Sequence, residues 1–236
     1  MKKNKFDFIE LLKGLLVVFS YFLLGNLLSS LFYVLLEKGI IPDKHYIRVI
    51  LNFLIYLILA IFYIIIYHKQ IITEWKTFQK KPKETIHYGF NYWLRGLFIM
   101  LISNFILVFF LKMGVSTNEQ TNVDMIKDSM FVQTILIVLV APIIEEIVFR
   151  MSFKKMTNNH HIYALITGLL FGFVHIITSL NNALGILFLI PYSALGIAFG
   201  YLYKKTDTIF ASLFMHMFHN AVTIAIIILA IVTGVY

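Results

Sequence analysis

The chain has 236 residues, of which 60% are hydrophobic and 14% charged, and its formal net charge is +8. A soluble domain cannot bury so large an apolar fraction, so the composition predicts an all-α polytopic membrane protein with the lipid bilayer as its surroundings. Cysteine is absent, which excludes disulfides and cysteine ligands or nucleophiles. The lysines lie in short loops between apolar runs, a pattern that reports membrane topology and does not indicate nucleic acid as a partner.

About seven apolar runs are each close to or above the ~20 residues that an α-helix needs to cross the hydrocarbon layer. These predicted spans are Phe8–Leu36, Tyr46–Tyr67, Tyr88–Leu111, Met130–Lys154, His161–Leu180, Ala183–Tyr203 and Thr208–Val235. The basic segment Met1–Lys5 leads directly into the first run without a small-residue cleavage site. We therefore expect a retained first span and not a removed signal peptide.

The basic residues of the loops and span edges predict the orientation. With the amino terminus in the cytoplasm, twelve lysines lie inside and five basic residues lie outside. The inside set is Lys2, Lys3, Lys5, Lys69, Lys76, Lys80, Lys81, Lys83, Lys154, Lys155, Lys204 and Lys205. The outside set is Lys38, Lys44, Arg48, Lys112 and Lys127. This bias favours a cytoplasmic amino terminus and, with seven spans, an external carboxyl terminus.

Two loops differ in their patterns. The loop after the second span carries four apolar residues on one helical face, with lysines on the flanks, and ends at Pro82. These residues are Ile71, Ile72, Trp75 and Phe78. The pattern predicts a short amphipathic helix in the inner leaflet. The external loop Gly114–Ser129 is polar and mildly acidic, and its sequence indicates no chemistry.

The two parts of the chain differ in polar content. Residues 1–129 are interpreted as amino-terminal transmembrane helices with the inner-leaflet helix, and their Asn104 is expected to bond a neighbouring helix. Residues 130–236 are interpreted as the catalytic transmembrane core, within one integrated domain. This second part holds two small-xxx-small pairs, which predict closely packed helices. The pairs are Gly168 with Gly172 and Gly196 with Gly200.

The run A-P-I-I-E-E-I-V-F-R, at Ala141–Arg150, places two carboxylates and an arginine at membrane depth. Ionisable groups there are costly and are functional candidates by default, although a buried ion pair between helices is the structural alternative. Glu146 and Arg150 are four residues apart in the favourable order and can pair within the helix. Glu145 points about 100° away and is free to face another helix. Pro142 frees a backbone carbonyl one turn earlier and can kink the helix.

Three further polar side chains can meet Glu145, namely His175, His216 and Asn220. With the turn between spans four and five near residue 157, the depths of Glu145 and His175 differ by ~9 Å, or less if the turn lies later. Glu145 with His175 suits deprotonation of a water, and His216 with Asn220 suits hydrogen bonding to an oxyanion. The neighbouring His219 is a competitor for the last role. A divalent metal such as zinc, held by Glu145, His175 and His216, is the alternative.

Three short motifs resemble those of one known family. They are E-E-x-x-x-R at Glu145–Arg150, F-x-x-x-H at Phe171–His175 and H-x-x-x-N at His216–Asn220. In this order and at membrane depth they look like the motifs of the CPBP intramembrane proteases. This CAAX protease and bacteriocin-processing group is also called the Abi family and includes Rce1-like prenyl endopeptidases. The resemblance covers about Met130 to Ala221, and the first three spans share only their transmembrane character.

The resemblance implies roles for the matching positions. Glu145 would activate water with help from His175, His216 and Asn220 would stabilise the oxyanion, and Glu146 with Arg150 would support the site. The family has been described both as metalloproteases and as glutamate-dependent proteases. We favour a cofactor-free mechanism, because asparagine is a poor zinc ligand and a good oxyanion donor. Family substrates include prenylated proteins and bacterial peptides, and the compact loops resemble those of members from bacterial cell membranes.

The sequence thus predicts an endopeptidase that acts on a membrane-associated protein or peptide. The alternative from another class is a non-catalytic membrane scaffold or bacteriocin-immunity factor. A transporter is a weaker choice, because the two halves lack a corresponding pair of interrupted helices.

Overall fold

A computed structural model describes residues 6–180 and 183–235 of the chain, so the basic segment Met1–Lys5 lies outside the described residues. Within the described part, seven helices are long and apolar enough to cross a membrane, and the secondary structure is helical throughout. The predicted class, an all-α polytopic membrane protein, is therefore confirmed.

The helices are numbered here in chain order. They are α1 (Phe8–Glu37), α2 (His45–Lys80), α3 (Pro82–Phe105), α4 (Thr117–Asp128), α5 (Met130–Ile135), α6 (Ala141–Phe149), α7 (His160–Ile176), α8 (Leu189–Thr206) and α9 (Ile209–Val232). A π-helical turn, Ile106–Phe110, extends α3, and another, Leu136–Val140, joins α5 to α6 into one span. There are also three short 3₁₀ turns. One follows α6 at Met151–Phe153, one follows α7 at Ile177–Ser179, and one precedes α8 at Ala183–Phe188.

The observed spans agree with the sequence in number and, mostly, in position. The first and the last four spans begin and end within three residues of the predicted bounds. The third begins at Pro82 and not at Tyr88, because proline is pre-organised for the first turn of a helix and therefore starts this one early.

The prediction of a separate amphipathic helix after the second span is wrong. Helix α2 runs without a break to Lys80, and its 36 residues correspond to ~54 Å, well beyond the hydrocarbon thickness. Trp75 and Phe78 stack on each other with ring centroids 5.4 Å apart, and both contact Phe210 of α9. Helix packing thus accounts for part of this apolar face, because Phe78 packs against α9 whereas Ile72 stays 52% exposed and Trp75 39% exposed.

A buried carboxylate fixes the end of the bundle at which the basic loops gather. Glu74 of α2 is only 2% exposed. It accepts hydrogen bonds from Lys154 Nζ, the Tyr203 hydroxyl and the backbone N–H of Ile209, each at 2.7 Å. The N–H of Ile209 belongs to the first turn of α9, where no intrahelical acceptor exists. One side chain therefore joins four elements at this end, which we call the basic end.

Helices α7 and α8 form the closest pair in the bundle, and their glycines are the reason. A Cβ atom added to Gly196 would lie 2.9 Å from the carbonyl oxygen of Gly168 and 3.0 Å from its Cα. A Cβ atom on Gly200 would lie 2.8 Å from the Cα of Ala164. The close packing predicted from the small-xxx-small pairs is confirmed for these two spans.

We expect Gly196→Ala to destabilise the protein by about 1–3 kcal/mol, because the added methyl group must push the α7 backbone away. Gly114→Ala is the matched control, since a Cβ atom there would meet nothing within 4 Å. The measurement is thermal unfolding of both variants in the same detergent. Equal midpoints for the two variants would contradict the role given to the Gly196 contact.

Helix α4 lies at the opposite end of the bundle, in the loop for which the sequence suggested no chemistry. Ser116 caps it, accepting a hydrogen bond from the backbone N–H of Glu119 at 3.1 Å. Its apolar face is fully buried through Val123 and Ile126, which pack with Ile224 and Ile227 of α9. We call this end of the bundle the α4 end, and it forms one boundary of the site described next.

Candidate active site

The fourth span is interrupted where it carries its proline. In the π-helical turn Leu136–Val140, the Ala141 N–H bonds to the Leu136 carbonyl five residues back. The same register would pair the Ile137 carbonyl with the nitrogen of residue 142, but Pro142 has no N–H. The side-chain amide of Asn220 on α9 donates to that carbonyl at 2.8 Å. The freed carbonyl that the sequence predicted is therefore real, and a predicted site residue satisfies it.

Glu146 is the paired carboxylate of the motif. It is 1% exposed, and its Oε1 lies 3.0 Å from Arg150 Nη1, so the predicted pairing within the helix is confirmed. The Arg150 guanidinium is itself fully buried and lies 4.2 Å above the ring centre of Phe171. The same Oε1 is 3.0 Å from Nδ1 of His216. Glu146 therefore also holds a histidine of the last span, a contact that sequence spacing did not indicate.

This contact sets the direction of the His216 ring. With Nδ1 donating to Glu146, Nε2 is the nitrogen that faces the other carboxylate, and it lies 3.5 Å from Glu145 Oε2. His216 thus sits between the two adjacent carboxylates of α6, one fully buried and one 17% exposed. A ring in this position can exchange a proton with Glu145 while Glu146 keeps it oriented.

The other predicted histidine is oriented by its own helix. Nδ1 of His175 lies 2.8 Å from the Phe171 carbonyl, so Nδ1–H donates there and Nε2 is left as the acceptor. The ring is stacked on Tyr192 of α8, with centroids 5.3 Å apart. The Tyr192 hydroxyl in turn lies 2.6 Å from the Ser116 hydroxyl at the start of α4. His175 is thereby held between α7, α8 and the α4 end.

A cavity of about 430 Å³ brings the predicted residues together. Glu145, His175, His216 and Asn220 all line it. The sequence left open whether they meet, and the structure places all four around one cavity.

Several residues around the cavity were not predicted. The first three spans contribute Tyr56 and Asn104, and α4 contributes Glu119. Asn104 makes no side-chain hydrogen bond within the described chain, so the expected bond to a neighbouring helix is not formed. One signal in the sequence could have located α4, because S-x-x-E at Ser116–Glu119 is the pattern of a capping box.

The structure also bears on two alternatives, the role of His219 and a metal site. His219, the competitor of His216, lines the cavity but lies 3.4 Å from the indole N–H of Trp93 and away from the carboxylates. Among residues 6–180 and 183–235, no three His, Asp or Glu side chains are grouped so as to hold a metal ion. The alternative ligand set of Glu145, His175 and His216 thus does not form such a group.

Comparison with known proteins points to the same part of the chain. The family model described as type II CAAX prenyl endopeptidase Rce1-like matches residues 127–222. A Bacillus subtilis (strain 168) protein named "Putative membrane peptidase YdiL" is 29% identical over 153 residues, which cover 61% of this chain. The chain spans 59% of the length of that curated relative. No solved structure matches the chain.

The matched segment contains Glu145 and Glu146 of α6, His175 of α7, and His216 and Asn220 of α9. All of these except Glu146 line the cavity. The resemblance that the motifs predicted is therefore confirmed over residues 127–222, which match the Rce1-like family model.

Proposed function

We propose that this protein is an intramembrane endopeptidase that hydrolyses a peptide bond of a membrane-associated protein or peptide. One observation carries the proposal. Of two adjacent carboxylates on α6, Glu146 contacts both Arg150 and His216 through its Oε1, whereas Glu145 faces a cavity that it shares with His175. A carboxylate left without an ion-pairing lysine or arginine beside a histidine acceptor is the arrangement that activation of water requires.

The proposed reaction begins with a water held between Glu145 and Nε2 of His175. Glu145 takes one proton as the water oxygen bonds to the substrate carbonyl carbon. The carbonyl oxygen becomes an oxyanion, which accepts hydrogen bonds from the second N–H of the Asn220 amide and from Nε2–H of His216. In this step His216 is in its imidazolium form, so its Nδ1–H stays on Glu146. The first Asn220 N–H stays on Ile137. The carbon–nitrogen bond then breaks, and Glu145 passes its proton to the leaving amine.

The proposed orientation follows from the basic loops. Lys154, Lys204 and the loop at Lys81 lie at the basic end, which we assign to the cytoplasm. Helix α4 then lies at the external face, and the cavity extends from the centre of the bundle toward that face. A bacterial cell membrane is the proposed location.

The direct test compares the peptides released from membranes of cells that produce either the unchanged protein or Glu145→Gln. Peptides that are present only with the unchanged protein are the expected result, and they would identify the substrate. If both membranes give the same peptides and both proteins have the same biological effect, the protein acts as a non-catalytic scaffold or immunity factor.

Cleavage is expected to survive removal of metal ions, because the proposed steps use only side chains of this chain. The measurement is cleavage of an identified substrate by the purified protein before and after treatment with a strong chelator, with bound metal quantified in the same samples. Loss of activity that zinc restores would overturn the cofactor-free mechanism. A soluble zinc protease assayed in parallel confirms that the chelator is effective.

A further inference from the structure

The cavity continues beyond the candidate catalytic residues to the amino-terminal half of α4. Polar side chains of α4 line this end of it, whereas the middle is mostly apolar. The polar set at this end is the capping residue Ser116 with Asn118, Glu119 and Asn122 of α4. A substrate that reaches Glu145 from the α4 end would pass these residues. They are therefore placed to select it.

Helix α4 holds this end of the cavity in a defined position. Besides the contact between Ser116 and Tyr192, the backbone N–H of Thr117 bonds to Ser179 Oγ at 3.3 Å, and Asn118 donates to the Tyr192 hydroxyl at 3.3 Å. At the other end of the helix, Asp128 pairs with His45 at 2.8 Å. Side chains on such a tethered helix are pre-organised for binding.

Glu119 departs from the role that its position predicts. In a capping box the glutamate side chain returns to the backbone N–H of the capping residue, here Ser116. Within the described chain Glu119 makes no such bond, although its own N–H does bond to the Ser116 hydroxyl. Glu119 is one of the residues that line the cavity.

The carboxylate also lacks a positive partner. Glu119 forms no ion pair within residues 6–180 and 183–235, and no lysine or arginine in the described chain lines the cavity. Burial raises the pKa of the Glu119 carboxyl, with no neighbouring cation to lower it. In a chain of net charge +8, the Asp, Glu, Lys and Arg residues that line this cavity within the described chain are thus two glutamates, Glu119 at the α4 end and Glu145 on α6.

We propose that Glu119 is a specificity-determining residue that binds a positively charged group of the peptide substrate at the α4 end of the cavity. The apolar middle of the cavity then holds the neighbouring apolar residues. This proposal rests on the proposed function, whose substrate class it narrows to apolar peptides with a cationic group. A lysine or arginine side chain or a free amino terminus supplies the required chemistry.

Peptide binding tests the proposal without relying on cleavage. The probes are short fluorescent apolar peptides with an acetylated amino terminus and one lysine, placed at successive positions. Norleucine and glutamate versions of each serve for comparison, and a non-acetylated norleucine peptide tests the free amine. Binding is measured on the full chain in lipid nanodiscs, with Glu145→Gln as the background so that the probes stay intact.

With lysine at the correct position, we expect about tenfold tighter binding than with norleucine, as for one charge-assisted contact. Adding Glu119→Gln should remove this preference, and adding Glu119→Lys should shift it to the glutamate peptide. Asp124→Asn is the matched control. Asp124 lies on the same helix, exposed, where it accepts a hydrogen bond from Gln120, and its loss should change nothing.

Three results would overturn the proposal: no lysine preference at any position, a preference that survives Glu119→Gln, or an equal loss with Asp124→Asn. The last would indicate only the general charge of the surface. Failure of the proposed function gives a different outcome. If the Glu119-dependent preference is present but the unchanged protein cleaves none of the peptides, the binding site stands and the protease assignment does not.

Discussion

Replacing Glu145 with glutamine is expected to lower kcat by about three orders of magnitude or more, with little change in KM. Glutamine keeps the shape and most of the polarity of the side chain but cannot accept the proton of the attacking water. General-base catalysis contributes about 10²–10⁴-fold, so its removal should dominate the kinetics. The measurement is steady-state cleavage of the substrate identified from the membrane peptide comparison.

Two further variants make this result specific. His175→Ala should reduce kcat by about 10²-fold, because Nε2 of His175 helps to hold the water while Glu145 remains. Glu37→Gln changes an exposed carboxylate at the end of α1 and should leave both constants unchanged. Substantial activity in Glu145→Gln, with a folded protein confirmed by its unfolding transition, would remove Glu145 from the proposed mechanism.

The largest effect on stability is expected from Arg150→Leu. Arg150 is fully buried, and the substitution leaves the Glu146 carboxylate in the protein interior without its guanidinium partner. Breaking a buried pair by removing one partner costs about 3–5 kcal/mol. The stacking of the guanidinium on Phe171 is lost as well. We expect a large decrease in the unfolding midpoint in detergent, together with loss of activity because Glu146 no longer orients His216.

A double variant separates the unpaired charge from the lost packing. Arg150→Leu combined with Glu146→Leu removes both charges, so it should recover part of the stability but none of the activity. Lys13→Ala breaks the exposed pair of Lys13 with Glu10 and should have little measurable effect on unfolding. If Arg150→Leu is as mild as Lys13→Ala, the buried pair is not what holds the site together.

Much of the fold could be predicted because a transmembrane helix is a long uninterrupted signal. Length and apolar content suffice to locate a span, and five of the seven were located to within three residues. It could also be predicted that Glu146, and not Glu145, pairs with Arg150, since helical geometry decides which of the two can reach the guanidinium. The glycine pairs predicted the close contact of α7 with α8 for the same local reason.

What the sequence could not supply are contacts between residues far apart in the chain. The hold of Glu146 on His216 spans 70 positions, and the bond from Tyr203 to Glu74 spans 129. No spacing rule applies at such separations. The face containing Trp75 and Phe78 was misinterpreted for a related reason, since the pattern is the same whether lipid or Phe210 covers it. Helix α4 was missed because most of its residues are polar, and its two buried apolar residues, Val123 and Ile126, are too few to give a clear hydrophobic pattern.

The π-helical turn has a consequence for how such a site is specified. A π turn contains one residue more than the α-helical turn that it replaces, so it changes the angular relation between the two parts of the span by about 100°. Upstream of Leu136–Val140 the span packs beside α4, and downstream it presents the glutamates. The direction in which the Glu145 side chain points therefore depends on the number of residues in the π-helical turn as well as on their types. Deleting a single apolar residue from this turn, with every polar residue retained, would change which side chains of the span line the cavity.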